Sequence, residues 1–184
     1  ANVSGNATVN VILSDNGGVA NGGDNNSSAT FTITVTAIND PPVAVNDNAS
    51  GNEDTNISVN VIANDTDIDG NGTISANTVD LNPGIAGIQT TTTNANGSFS
   101  VNSSGVVTFV PNTNYSGATS ISYTVNDTDG ATSNIATINF TVNTVNDPPI
   151  AADDAATGNE DNTITVNVIA NDVDVDGTVV ASTV

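Results

Sequence analysis

Apolar and polar residues alternate with a period of two along most of this chain. Ile57, Val59 and Val61 are separated by Ser58 and Asn60, Ile121, Tyr123 and Val125 by Ser122 and Thr124, and Ile138, Phe140 and Val142 by Asn139 and Thr141. A strand turns successive side chains to opposite faces, so each set predicts a strand with one face in a core and the other in water. No stretch carries a helical period. Turn-forming pairs fall between the alternating segments, at Asn71-Gly72, Asn96-Gly97, Ser104-Gly105 and Asp129-Gly130. The pattern predicts strands near 43–47, 56–63, 73–81, 88–101 (two strands or a bent one), 106–110, 119–126 and 135–144. Short strands joined by such turns predict an all-β, Greek-key sandwich.

The pattern also repeats over a long distance. Residues 39–70 and 146–177 align without a gap, 107 residues apart, and agree at 22 of 32 positions. A fixed period of this kind predicts tandem domains. One complete repeat runs over 39–145, and its seven predicted strands make an immunoglobulin-like sandwich. Residues 1–38 match the end of a repeat: Val9, Val11 and Leu13 correspond to Ile121, Tyr123 and Val125, and Phe31, Ile33 and Val35 to Ile138, Phe140 and Val142. They are expected to supply the last two strands of a preceding domain, with a Gly/Asn-rich hairpin loop at 14–28. Residues 146–184 are expected to supply the first strands of a following one. The chain therefore reads as a window on a longer array. Between domains, Asn146-Asp147-Pro148-Pro149 predicts a short, stiff linker, because the prolines fix φ and hold the preceding residue extended.

Composition narrows the chemistry. The 184 residues include 20 acids and no Lys, Arg, His or Cys, for a net charge of −20. Nucleic acid is excluded as a partner, since phosphate recognition needs cationic side chains. Attraction to anionic membrane surfaces is excluded on the same ground, and no apolar run is long enough to span a bilayer. Without His or Cys there is no Ser-His or Cys-His nucleophile and no imidazole or thiolate zinc site, so an enzyme is not expected. Disulfides are impossible, aromatics are 3% of the chain, and a bound cation is the staple left to a small core.

The acids are placed in register. All seven in the first copy, Asp40, Asp47, Glu53, Asp54, Asp65, Asp67 and Asp69, return as acids in the second, and the two glutamates of the chain, Glu53 and Glu160, correspond. An odd strand count sends the chain out at the end opposite its entry. The turn at 64–72 then lies at the entry end with Asn39 and Asp40, and the turn carrying Glu53 and Asp54 at the exit end. There it should meet Asn146 and Asp147 of the linker and Asp172, Asp174 and Asp176 of the next domain. So many oxygen ligands suit Ca²⁺, which takes six to eight. Turn chemistry accounts for one or two acids per turn but is not expected to account for three alternating aspartates, which repel one another without a cation. An EF-hand is rejected: position twelve of the loop would be Ala76, and no helices flank it.

The series Asn-Asp-Pro-Pro, Asn-Glu-Asp, Val-Asn-Val-Ile-Ala-Asn-Asp-x-Asp-x-Asp-Gly, Gly-Val-Val-Thr-Phe-Val-Pro-Asn, Tyr-Ser-Gly and Ser-Tyr-Thr-Val-Asn-Asp resembles the bacterial cadherin-like tandem repeats of large secreted adhesins. The resemblance covers essentially the whole chain. It implies an immunoglobulin-like fold with Ca²⁺ at domain junctions, shared by a glutamate near the first strand, a linker Asn-Asp and an Asp-x-Asp of the next domain. Glu53, Asn146-Asp147 and Asp174/Asp176 match those positions. The lack of Lys and Arg departs from the family pattern and leaves any adhesive partner open.

Three functions are consistent with these features. The leading expectation is an extracellular, cell-surface fibre or adhesin stalk, made rigid by Ca²⁺, whose partners are neighbouring repeats of the same chain. A ten-residue strand spans roughly 33 Å, so each repeat with its linker would advance about 40–45 Å. The alternatives are a ligand-binding adhesion module using loops such as 14–28 or 82–98, and lateral assembly of identical chains into a filament by strand addition.

Overall fold

The alternating segments become strands. In the computed structural model, which describes residues 3–20 and 26–181, they are β1 (Gly5–Ser14), β2 (Asn26–Val35), β3 (Asp47–Asn52), β4 (Ile57–Asn60), β5 (Ile74–Asp80), β6 (Thr91–Asn94), β7 (Gly97–Val101), β8 (Val106–Pro111), β9 (Gly117–Asp127) and β10 (Ala136–Asn143). Among the described residues there is no α-helix, and a 3-10 turn covers Asn71–Thr73.

Strands β3 to β10 build a sandwich of two four-stranded sheets, ordered β3-β10-β9-β5 and β4-β8-β7-β6. The chain changes sheets between β3 and β4. β3 runs parallel to β10, from Asp47 beside Ile138 to Asn52 beside Asn143, while the other pairings are antiparallel. The strand that enters and the strand that leaves thus point the same way. Entry and exit lie at opposite ends, and the β3–β4 turn with Glu53 lies at the exit end, where the Glu53 amide donates to the Asn143 carbonyl at 2.9 Å.

Period-two alternation is realised most fully in β10, where Ala136, Ile138, Phe140 and Val142 are buried between polar neighbours. The centre of the sandwich is aromatic. Phe99 of β7 stacks on Phe109 of β8 with centroids 4.5 Å apart, and Phe140 of β10 closes the gap between sheets at 5.7 and 5.2 Å from them. Val61, Val79, Val107, Tyr123, Val125 and Ile138 fill the remaining space.

Three details differ from the sequence expectation. The strand expected at 43–47 is a single bridge, Val43 to Thr66, because its amides are claimed by side chains. Ala44 N donates to Asn134 Oδ1 at 3.0 Å and Val45 N to Asp65 Oδ1 at 2.8 Å, so ladder pairing begins only at Asp47. The segment 88–101, expected as two strands or a bent one, is a hairpin of two strands turning at Ala95-Asn96, which makes eight strands rather than the seven counted. Gly97 sits at φ +157°, and a Cβ there would collide with the Val110 carbonyl and the Phe109 ring. Gly97→Ala should therefore cost about 1–3 kcal/mol, read from the urea midpoint.

The third detail concerns residues 146–181, which form no ladder strand. They nonetheless reproduce the local contacts of 39–74 one period on. The bridge Ile150–Val173 mirrors Val43–Thr66, and Ala152 N to Asp172 Oδ1 at 2.8 Å mirrors Val45 N to Asp65. β3 and β4 owe their ladders to β10 and β8, and among the described residues no ladder strand pairs with this segment. At the other end, β1 and β2 form a lone antiparallel ribbon, from Gly5 opposite Val35 to Ser14 opposite Asn26. Phe31, Ile33 and Val35 are exposed, unlike their counterparts in β10. Of the expected hairpin loop at 14–28, residues 21–25 lie outside the described residues.

Candidate metal centre

The turn after β3 is held tightly against the end of β10. Asp54 adopts φ 56°, a left-handed conformation that Asp tolerates, and its Oδ1 accepts the Asn114 amide at 3.0 Å. This orients Glu53 across the chain leaving β10. Glu53 is buried and its Oε1 accepts the Val145 amide at 2.6 Å. Two residues later, Asp147 reaches the next repeat, where its amide lies 3.3 Å from both carboxylate oxygens of Asp176.

Three carboxylates therefore converge on the joint. One ligand oxygen each from Glu53, Asp147 and Asp176 lie within 4.8 Å of one another. Asp147 Oδ2 is buried and has no hydrogen-bond partner. Loss of water raises the Asp147 pKa above the usual carboxylate value, and the negative charges of Asp176, Glu53, Asp54 and Asp174 raise it further. A carboxylate oxygen shut away from water, ringed by four acids, in a chain without one cationic side chain, has a donor set of hard oxygens only. That set fits Ca²⁺. Glu53, Asp147 and Asp176 are the residues that would hold it, with Asp54, Asp174 and Asn146 at hand. Asn146 is exposed, its amide donating to the Asp147 carbonyl at 2.9 Å.

The three alternating aspartates do three different jobs. The last one grips the linker: Asp69 Oδ2 accepts the Asp40 amide at 2.8 Å, as Asp176 takes that of Asp147. The middle one shapes its own loop. Asp67 is buried, Oδ1 accepts the Asp69 amide at 2.8 Å and Oδ2 the Thr73 hydroxyl at 2.7 Å, while Asp174 Oδ1 accepts the Gly177 amide at 3.0 Å. The first one turns inward. Asp65 is buried against Val45 N and the Tyr123 hydroxyl, and Asp172 likewise binds Ala152 N. Asp65 and Asp172, expected as metal ligands, are thus engaged by backbone amides, and neither is among the three carboxylates that converge at the joint. The alternation itself has a backbone-capping account, contrary to the expectation that turn chemistry could not supply one. The case for a metal rests instead on the convergence at Asp147.

The entry end of the sandwich shows the same joint one period earlier. Asn39 Nδ2 donates to Asp127 Oδ2 at 2.7 Å, and Asp40 is tied to Asp69. The position one period before Glu53 precedes residue 1. Asp127 was not among the expected site residues. The Asn39 amide lowers its pKa, and the amides of Ala131, Gly130 and Asp129 add to this against the opposing effect of desolvation. The signal for it was present, since Asn-Asp-Thr-Asp occurs both at 64–67 and at 126–129.

The profile of the bacterial cadherin-like domain matches residues 39–144, more than half of the chain. The chain belongs to the bacterial cadherin-like domain family. The profile of the bacterial Ig domain matches residues 146–184. Among solved structures, chicken VE-cadherin EC1-2 is similar at 24% identity, over 67% of this chain and 61% of that chain, with a TM-score of 0.34. The fold assignment rests on the two sheets and the family match rather than on that score. No curated protein sequence matches the chain. Cadherin-like and Ig-like domains are structural and adhesion modules, typical of extracellular surface proteins. Among the described residues no helix is long and apolar enough to cross a membrane.

Proposed function

We propose that this cadherin-like chain is a segment of an extracellular stalk whose successive modules are locked end to end by Ca²⁺ held at each joint. The observation that carries the reading is the buried, unpartnered Asp147 Oδ2 at the point where Glu53 of one module and Asp176 of the next converge. Calcium supplies the positive charge that the sequence lacks. The side chains do the rest: Glu53 fixes the direction of the outgoing chain through Val145, Asp176 fixes the linker through Asp147, and the prolines limit the backbone between them. A flexible connection becomes a set angle.

Small-angle scattering of the chain with calcium and with chelator tests the reading. The maximum dimension and its spread should be constant with calcium, and the spread should widen in chelator as the like charges at the joint push apart. Identical profiles in both conditions would remove the stalk-locking role. Acid should act in the same direction as chelator, because carboxylate ligands bind metal only when ionised and Asp147 takes up its proton at a higher pH than an ordinary aspartate. Calcium titrations at falling pH check this. The expected outcome is an affinity that declines before exposed aspartates titrate.

A further inference from the structure

The complete module contains a second acidic group, which faces into the sandwich rather than toward the joint. Asp47 opens β3 at 6% exposure, Asp65 is at 3%, and Tyr123 of β9 has no exposed surface. The Tyr123 hydroxyl lies 2.9 Å from the Val61 carbonyl, 3.1 Å from the Val45 carbonyl, and 3.0 and 3.2 Å from the two oxygens of Asp65. A phenol has one hydrogen and satisfies one such acceptor at a time. Asp65 has a second donor in Val45 N at 2.8 Å. The Asn64 amide is directed at the carbonyls of Asn46 and Val45, at 3.2 and 3.5 Å. Asp47 Oδ2 has no hydrogen-bond partner at all. The cluster is rich in acceptors and short of hydrogens.

We propose that this cluster is a buried proton-binding site, with the proton on Asp47 and the negative charge kept on Asp65. The division follows from the single stranded atom: Asp65 is reached by Val45 N and the Tyr123 hydroxyl, whereas Asp47 has Oδ2 buried with no donor, even with Tyr123 and Asn64 beside its carboxylate. A proton gives that stranded oxygen a hydrogen of its own, and it removes one of two adjacent buried charges. The phenol oxygen already stands at the centre of the oxygen set, where a metal ion would have to sit, so the smallest cation is the one the packing admits. Asp65 and Tyr123 are the titratable groups that act on Asp47. β10 offers it only backbone and the Asn139 amide, which donates to the Asp47 carbonyl at 3.4 Å and to Asn48 Oδ1 at 3.2 Å. Burial raises the Asp47 pKa from 3.8 to about 6, and the Asp65 charge adds to this, while hydrogen bonding from Tyr123 and Asn64 pulls the other way.

The consequence has a definite sign. A carboxyl that binds its proton more tightly when folded contributes stability that is complete below about pH 4 and is lost as pH rises through about 6. Mild acid therefore tightens the sandwich. If the joint holds calcium as proposed, the same acid loosens the joint, so the two effects separate module from stalk.

The test uses the whole chain in chelator, so that its result does not depend on calcium at the joint. Carboxyl-carbon NMR titration should place the Asp47 midpoint about two pH units above those of exposed aspartates. Thermal melts should show a gain in melting temperature from pH 7.5 to pH 5 that is reduced in Asp47→Asn, which carries a hydrogen permanently. An Asp47 midpoint among the exposed aspartates would overturn the proposal, as would an unchanged gain in the variant. Were the variant not to fold, the wild-type titration alone decides. A midpoint driven downward by added calcium or sodium in Glu53→Gln would also overturn it, in favour of a metal in the core.

Discussion

Glu53→Gln should leave the module folded and weaken calcium binding by at least about tenfold, equivalent to about 1.4 kcal/mol. The two halves of this expectation come from the two oxygens of one side chain. Glu53 Oε1 accepts the Val145 amide at 2.6 Å, a contact that a glutamine carbonyl can reproduce. The charge is what the substitution removes, and affinity at oxygen sites follows ligand charge. Asp172→Asn is the matched control. Asp172 belongs to the same acidic run but binds Ala152 N and is not among the converging carboxylates, so its replacement should change affinity by less than about twofold. Calorimetric titration of both variants separates a site at the joint from diffuse attraction to a chain of charge −20, which would respond equally to either loss.

Phe109→Ala should destabilise the complete module by about 3–5 kcal/mol, with calcium or without it. Phe109 is fully buried, stacked on Phe99 and 5.2 Å from Phe140 across the sheets. These rings are three of the four phenylalanines in the chain, and there is no Trp or Met to fill the space left behind. A domain of this size has about 5–15 kcal/mol in all, so one ring is a large share. Urea unfolding followed by far-ultraviolet circular dichroism measures the loss. A cost below about 1 kcal/mol would mean that the sandwich core does not depend on the aromatic contact between sheets.

Much of this fold was legible because alternation is local. Ile138, Phe140 and Val142 announce the buried face of β10 without reference to anything distant. The first strand was not legible, because Val43-Ala44-Val45 has the same alternation, yet its amides go to Asn134 and Asp65. Side chains 20 and 90 residues away in sequence decide that contest, and no local pattern contains them. The β1–β2 ribbon and the 146–181 segment, which forms a bridge but no ladder, make the same point. Alternation marks a capacity for pairing, and the partner determines whether a strand forms.

The acidic residues were legible as a set and only partly as individuals. Register between repeats singled out Glu53, Asp147 and Asp176, which the structure brings together. It could not distinguish them from Asp65 and Asp172, whose spacing by twos is the same but whose oxygens are used by backbone amides. Asp47 returned as Asp154 in the second copy, a signal for a buried role that alternation alone assigned to the end of a strand. Capping, joint and core carboxylates look alike in one dimension. They differ in which donors reach them.

Anomalous diffraction from crystals of the chain grown with calcium tests the central claim most directly. The account predicts a peak at the joint bounded by Glu53, Asp147 and Asp176, with Asp147 Oδ2 among its ligands. Density showing those three carboxylates turned apart and solvated by water, in crystals replete with calcium, would contradict it.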